Sequence, residues 1–414
     1  MPPRPMMAAP SHLWRAIGRV IIGSCLAAGC QFQRDAPAST SRDSVGIVIV
    51  ESHRPVWPPT FRWVVEPTPS VVIGRRGGDP QQEFFRIRGA VRLRSGDVIV
   101  ADGLSRELRW FDADGQFILR RGGEGSGPGE YEALSTLLLL PGDSIAAGDG
   151  LRRTVRLYTA TGEFVRSWQV SPMGAIPGFL PVARLENGLF VTVAQTWLSQ
   201  PPGHVPYQTS ILRYRDGVLV DTVTQFLGGE EYYASCGLNR ICAFPVPFGR
   251  KTSVATSRNA IMVGDGQRYE IRVFDPTASL TQVWRRTLAP AALSSARVVA
   301  HRESTVAAYP AARQPAVRRA LEAAPVPDAV PAFVQFEVDA LGNLWVARFD
   351  LDEAGRRPWD VFGPDGDFLG TVAMPRGVDV QQVGGDFVLG TLQDADDVEY
   401  VVVLQLSKPS DPIR

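Results

Sequence analysis

Residues 85–131 read FRIRGAVRLRSGDVIVADGLSRELRWFDADGQFILRRGGEGSGPGEY. Three short apolar runs and a fourth at QFILRR are separated by Ser95-Gly96-Asp97, Asp102-Gly103 and Asp114-Gly115. Asp and Gly meet the backbone demands of tight turns, so dipeptides at this spacing mark hairpins between short strands. The stretch predicts one antiparallel four-stranded unit.

The unit recurs. Asp102-Gly103 returns as Asp149-Gly150, Phe111 as Tyr158 and Gly115 as Gly162, each 47 residues on. Asp265-Gly266 opens a third copy, and in all three an aromatic stands nine residues after the aspartate (Phe111, Tyr158, Phe274). Six residues after it the position is apolar in each: Leu108, Val155 and Ile271. Looser copies follow at LENGLF (185–190) with ILRYRDG (211–217), at VDALGNLWV (338–346) with WDVFGPDG (359–366), and at 380–390 with 400–406. The turn before the second strand is marked six times, at Gly96, Gly142, Gly188, Asn259, Gly342 and Gly385.

Repeats of about 45 residues with four strands each are the size of propeller blades. The expected fold is all-β: a six-bladed β-propeller of four-stranded antiparallel blades over residues 44–410. Its last copy stops after three strands. Ser70–Phe84 matches Gln116–Tyr131, both running from an apolar strand through Arg-Arg-Gly-Gly to Glu plus an aromatic, with Glu83-Phe84 and Glu130-Tyr131 again 47 apart. The N-terminal segment, residues 61–76, therefore supplies the missing fourth strand and closes the ring, which removes open sheet edges. Residues 289–332 break the pattern. They are rich in Ala and Arg, with helices predicted at 291–309 and 316–324, and form an insertion between blades four and five packed on the ring.

GGEGSGPGEY with VADG and WFDADG is similar to NHL repeats and their six-bladed relatives in exported bacterial proteins, over about residues 44–408. NHL repeats carry arginine five residues after the aspartate, where this chain has Glu107, Thr154 and Glu270. The resemblance implies a fold and a binding platform; unrelated activities share that fold.

The chain has 414 residues, with Lys+Arg and Asp+Glu both 43, so no global basic field attracts nucleic acid. Lys251 and Lys408 are its two lysines. Arg4, Arg15 and Arg19 precede an uncharged run, residues 20–29, too short to span a bilayer and ending in small residues, as an export signal does. Leu26-Ala27-Ala28-Gly29-Cys30 resembles the lipobox of bacterial lipoproteins, although leucine is commoner than Ala27 at its position. The resemblance implies cleavage after residue 29, diacylglycerol on Cys30, and a membrane contact through the lipid anchor alone. Gln31 points to outer-membrane sorting. Residues 30–43 read as a flexible tether. After removal of the signal, 40 bases face 43 acids. Export leaves Cys236 and Cys242 as the pair expected to form a disulfide.

Motifs for chemistry are weak. Gly122–Gly129 lacks the ending and the following helix of a phosphate loop, as does Gly249-Arg250-Lys251-Thr252. His53, His204 and His301 are the histidines left after export, too dispersed in the expected fold for a three-histidine zinc site. No Gly-x-Ser-x-Gly elbow is present. Four carboxylates at 394–399 read as a solvated loop, with structural or channel calcium left open and no cofactor expected. Aligned copies place Arg92, Arg184 and Glu337 at comparable points of the innermost strands, as candidate ligand contacts. The leading expectation is a non-catalytic, lipid-anchored propeller binding a protein, peptide or glycan at the cell envelope. The alternatives are a divalent-metal hydrolase or lactonase acting in the channel, and a scaffold using the helical insertion.

Overall fold

The computed structural model describes residues 37–409 apart from 76, 78, 128, 171–180, 236–239 and 289–290. The signal, Cys30 and Cys236 lie outside the described residues, and with them the lipid attachment and the Cys236–Cys242 bridge. Among the described residues no helix is long and apolar enough to cross a membrane.

The chain is all-β, with six sheets and two helices among the described residues. The first sheet contains Ile87–Arg92, Val98–Asp102, Glu107–Phe111 and Phe117–Gly122. The second contains Leu134–Leu139, Ile145–Asp149, Thr154–Tyr158 and Phe164–Gln169. The third has five strands, Pro181–Arg184, Phe190–Trp197, Gly203–Arg215, Val218–Ser235 and Ile241–Pro245. The fourth is built on Ser253–Ser257, Ala260–Gly264, Glu270–Phe274 and Leu280–Arg286. The fifth contains Phe333–Val338, Leu344–Arg348, Arg357–Phe362 and Phe368–Met374. The sixth joins Asp379–Val383, Phe387–Gln393 and Glu399–Ser407 to the N-terminal Val64–Ile73, with Val401 opposite Ile73 and Val403 opposite Val71.

These sheets are antiparallel and built like propeller blades, with hairpins between consecutive strands. Each leading strand touches the next sheet's leading strand, from first through sixth, and the sixth touches the first. The apolar core lies between neighbouring sheets. Ile99, Leu108 and Trp110 meet Leu134, Ile145 and Tyr158; Leu389 and Val401 meet Val98 and Phe111. Leu108, Val155 and Ile271, the apolar positions of the repeat, are all fully buried. Burial of such side chains on both faces of stacked sheets supplies the main stabilisation.

The repeat's turns hold as read, with local differences. Gly96, Gly142, Gly188 and Gly342 adopt φ of 98°, 77°, 88° and 86°, the left-handed region that glycine enters without a Cβ clash. In the fourth sheet Arg258 rather than Asn259 takes that conformation, at φ 55°. The sixth sheet turns through Gly384 N–H donating to Phe387 O.

One expectation needs correcting, and a second gains detail. Ser39–Ser44, read as part of the tether, is a strand paired with Ile47–Ser52, which runs parallel to Leu280–Arg286 and extends the fourth sheet. Its central residues are exposed, so it carries no apolar alternation to detect. The insertion forms helices at Ser295–Ala307 and Gln314–Ala323, but their apolar faces do not pack only on the sheets that flank them in sequence. Val306, Val317, Ala320 and Leu321 close over Phe244, Ala234 and Cys242 of the third sheet's long hairpin.

Candidate functional site

The turn carboxylates are occupied by backbone. Asp112 Oδ1 accepts from the Asp114 and Gln116 amides, and Asp275, Asp339, Asp352 and Asp394 each take the amides two and four residues on. Asp149 is fully buried and accepts from the amides of Glu132, Ala133, Leu151 and Arg152. The acidic stretch at 394–399 is a turn of this kind, with Glu399 Oε2 accepting from Ile87 N.

The glycine-rich loops have the same economy. Glu83 accepts from Gly77 N, and Glu130 from Gly127 N at 2.8 Å. The next aromatic, Phe84 or Tyr131, is buried beneath an arginine of the third strand: Arg109 over Phe84 at 5.4 Å, Arg156 over Tyr131 at 4.4 Å. These arginines stand seven residues after Asp102 and Asp149, and Arg272 stands likewise after Asp265. Sequence comparison tested the fifth position and missed them. At Gly122, φ 99°, a Cβ would stand 2.7 Å from Arg106 O and against the Tyr131 ring.

The candidate channel residues do not form one set. Arg92 and Arg184 end their leading strands at equivalent register, each preceding a residue whose N–H closes the turn (Leu93 to Asp97 O, Leu185 to Leu189 O). In the fifth sheet the equivalent closure is Asp339 N to Asn343 O, so the register partner is Val338, and Glu337 points to the other face. Arg92 lies over Phe387 at 4.5 Å and Arg184 over Phe190 at 5.8 Å. Glu337 accepts from Gln335 Nε2 at 3.1 Å. It is part-buried by surface area, yet protein crowds its carboxyl. That burial, with the Asp379 charge nearby, pushes it up to about 8 against the opposing Gln335 hydrogen bond. Asp379 is itself raised by desolvation, opposed by Lys251 and Arg357.

Around this pair a run of clefts opens where leading strands begin. The innermost, about 360 Å³, is lined by Val182 and Val193 of the third sheet, Ser253 of the fourth, Gln335 of the fifth, Asp379 of the sixth, and Lys251. It shares Lys251 and Thr252 with a cleft of about 570 Å³ at the base of the long hairpin, bordered by Tyr207, Glu230, Glu231 and Arg250. That cleft shares Arg250 and Val246 with one of about 520 Å³ beneath residues 325–331. The last, about 640 Å³, adds Tyr269, Arg286, Arg348 and Asp350. Lys251, Arg250, Arg268, Arg286 and Arg348 and the carboxylates Asp379, Glu230, Glu231, Asp328 and Asp350 border these adjoining clefts, so both signs of charge line them. The Gly249–Thr252 segment, unfit as a phosphate loop, lines the cleft of about 570 Å³.

Parts of the groove wall are structural. Asp360, fully buried, accepts from Tyr269 Oη at 2.7 Å, from Thr371 Oγ1 at 2.7 Å and from Arg286 Nη1. Desolvation first, then the Asp360 charge, raises the Tyr269 phenol far above its ordinary value. Tyr207 donates to Glu231 and shares a 2.9 Å contact with Tyr233, and burial raises its phenol. Among the described residues no three His, Cys, Asp or Glu side chains converge as metal ligands. His53 lies between Thr40 and Thr287, His204 against Glu230, and His301 on Phe248.

No family model matches the chain, and no curated protein matches it. Among solved structures it is similar to a chain assigned as an exported protein of Bacteroides fragilis, at 11% identity over 87% of this chain and 100% of that one, with a TM-score of 0.47. It is similar to virginiamycin B lyase of Staphylococcus aureus, at 10% identity over 84% and 100%, TM-score 0.39. A third, a member of the DUF4221 family from Bacteroides vulgatus, gives 8% identity over 84% and 99%, TM-score 0.44.

Proposed function

We propose that the chain is an exported, lipid-anchored six-bladed β-propeller that binds an extended peptide segment of an envelope partner rather than turning over a substrate. The cyclic order of leading-strand contacts and the pairing of Val64–Ile73 with Glu399–Ser407 support the closed ring. Cys30 and the preceding small residues support the anchor. The observation that carries the binding reading is the run of adjoining clefts from Asp379 to Arg286, each sharing lining residues with the next and bordered by both signs of charge. Charge of both signs on adjoining concave surfaces suits a peptide's charged side chains and gives register and orientation.

The test uses the full chain in detergent micelles, with a photo-cross-linking residue in place of Arg268 in the groove or of exposed Leu151 on the second sheet. Random-sequence peptides should cross-link at position 268 and not at 151. Equal labelling of both sites, or labelling of position 268 by oligosaccharides alone, would overturn the peptide reading.

A second reading has one observation in its favour. Glu337 keeps its carboxyl proton up to about 8, which suits a general acid near neutral pH. Hydrolysis of lactone or ester substrates lost in Glu337→Gln, with the groove variants unaffected, would establish it.

A further inference from the structure

The innermost cleft has a definite chemistry, and the inference from it rests on the peptide-binding reading. Four valines, Val182, Val193, Val254 and Val334, are among its lining. The polar lining includes Asp379, Gln335 and Ser253. Asp379 is the first residue of its strand and is exposed, and its Oδ2 accepts from Gln381 Nε2 at 3.3 Å. Ser253 is only 5% exposed, and its Oγ has no hydrogen-bond partner. A buried hydroxyl left unpaired costs about 1–3 kcal/mol, which a ligand donor or acceptor in the cleft removes. Lys251 stands at the exit, where this cleft and the next share their lining.

We propose that this cleft takes the N-terminal residue of a peptide, with its α-ammonium on the Asp379 carboxylate and Ser253 Oγ and its small aliphatic side chain on the valines. The first peptide carbonyl then faces the Lys251 ammonium, and the chain continues past Tyr207 and Arg250 into the wider clefts. An ammonium fits because the cleft combines a carboxylate with neutral oxygen acceptors and apolar side chains. A cleft of about 360 Å³ has room for one residue of this kind, and it shares Lys251 and Thr252 with the next cleft.

The experiment is fluorescence polarisation with the full chain in micelles and a C-terminally labelled hexapeptide beginning Val-Ala, free or acetylated at its N-terminus. Acetylation should weaken binding by about tenfold or more, the loss of one charge-assisted contact. Asp379→Asn should weaken the free peptide about equally and leave the acetylated peptide unchanged, while Ser253→Ala costs about threefold. Near-UV circular dichroism checks that each variant is folded. If free and acetylated peptides bind equally and both are lost in Arg268→Glu, the groove reading stands and the N-terminal inference falls. If neither peptide binds, both fall. Free valine competing as well as the free hexapeptide overturns the inference in favour of a small-molecule site.

Discussion

The first two sheets and the third sheet are built from the same repeat and use it in opposite ways. In the first two, strands are five or six residues long and the turns are closed by aspartates whose oxygens already hold backbone amides. Glutamates 83 and 130 tie down the glycine loops, and their aromatic neighbours are capped by Arg109 and Arg156. In the third, strands lengthen to 13 and 18 residues and the hairpin reaches out to meet the helices. At its base Glu230, Arg250 and Lys251 border clefts. The regular copies spend most of their turn carboxylates on backbone amides, whereas the elongated copy sets charged side chains around concave surfaces, and that is where a ligand can be recognised.

The sharpest way to break this contrast is Tyr131→Ala in the regular region. Tyr131 is fully buried, bonds Tyr158 through its hydroxyl at 2.9 Å and lies under Arg156. Its loss should cost about 3–5 kcal/mol in denaturant unfolding, with the groove's ligand preference intact in the folded fraction. A cost below about 1 kcal/mol would mean the repeat motif is not the structural unit described.

Glu337→Gln probes the boundary between the two regions through pH. The folded carboxyl holds its proton up to about 8, against an ordinary 4.5 in the unfolded chain. Between those values folding takes up a proton, so wild-type stability falls as pH rises through that window and is level above it. The amide removes that dependence. The variant should be more stable than wild type at pH 9, by about 2 kcal/mol once water in the channel is allowed for, and indistinguishable from it at pH 4. An equal gain at both pH values would mean that the carboxyl does not retain its proton.

The smallest effect expected is that of Arg250→Ala on stability, within about 0.5 kcal/mol, because the residue lies part-exposed in the groove. Its effect on peptide cross-linking should be large by comparison. Destabilisation equal to that of Tyr131→Ala would make it a structural residue.

The repeat was legible in sequence because its information sits in turns, where Asp102, Asp149 and Asp265 with their glycines answer local backbone requirements. The sixth sheet's N-terminal strand was legible for the same reason, through the match of Ser70–Phe84 to Gln116–Tyr131. The inner cleft was not. Ser253, Gln335 and Asp379 come from three different sheets, lie in no shared motif, and meet because leading strands are neighbours in space. The error at Glu337 was of one residue: Arg92 and Arg184 stand four before Gly96 and Gly188, and the same count before Gly342 reaches Val338, and one residue reverses the face. The docking of the helices on the third sheet was hidden because Val306, Val317 and Leu321 specify an apolar face but not what covers it.

The N-terminal segment passes over three sheets in turn. Ile47–Ser52 pairs with the fourth, Val56 and Trp57 bond the backbone of Phe368 and Leu369 in the fifth, and Val64–Ile73 completes the sixth. Ser70 Oγ donates to Val403 O across 333 residues of sequence. Val64–Ile73, made early, must therefore wait for Glu399–Ser407, the last strand, before it has a partner. The sixth sheet cannot form until the whole chain has been synthesised, so the step that joins the two ends of the described chain is a contact of very high sequence separation and slow to nucleate.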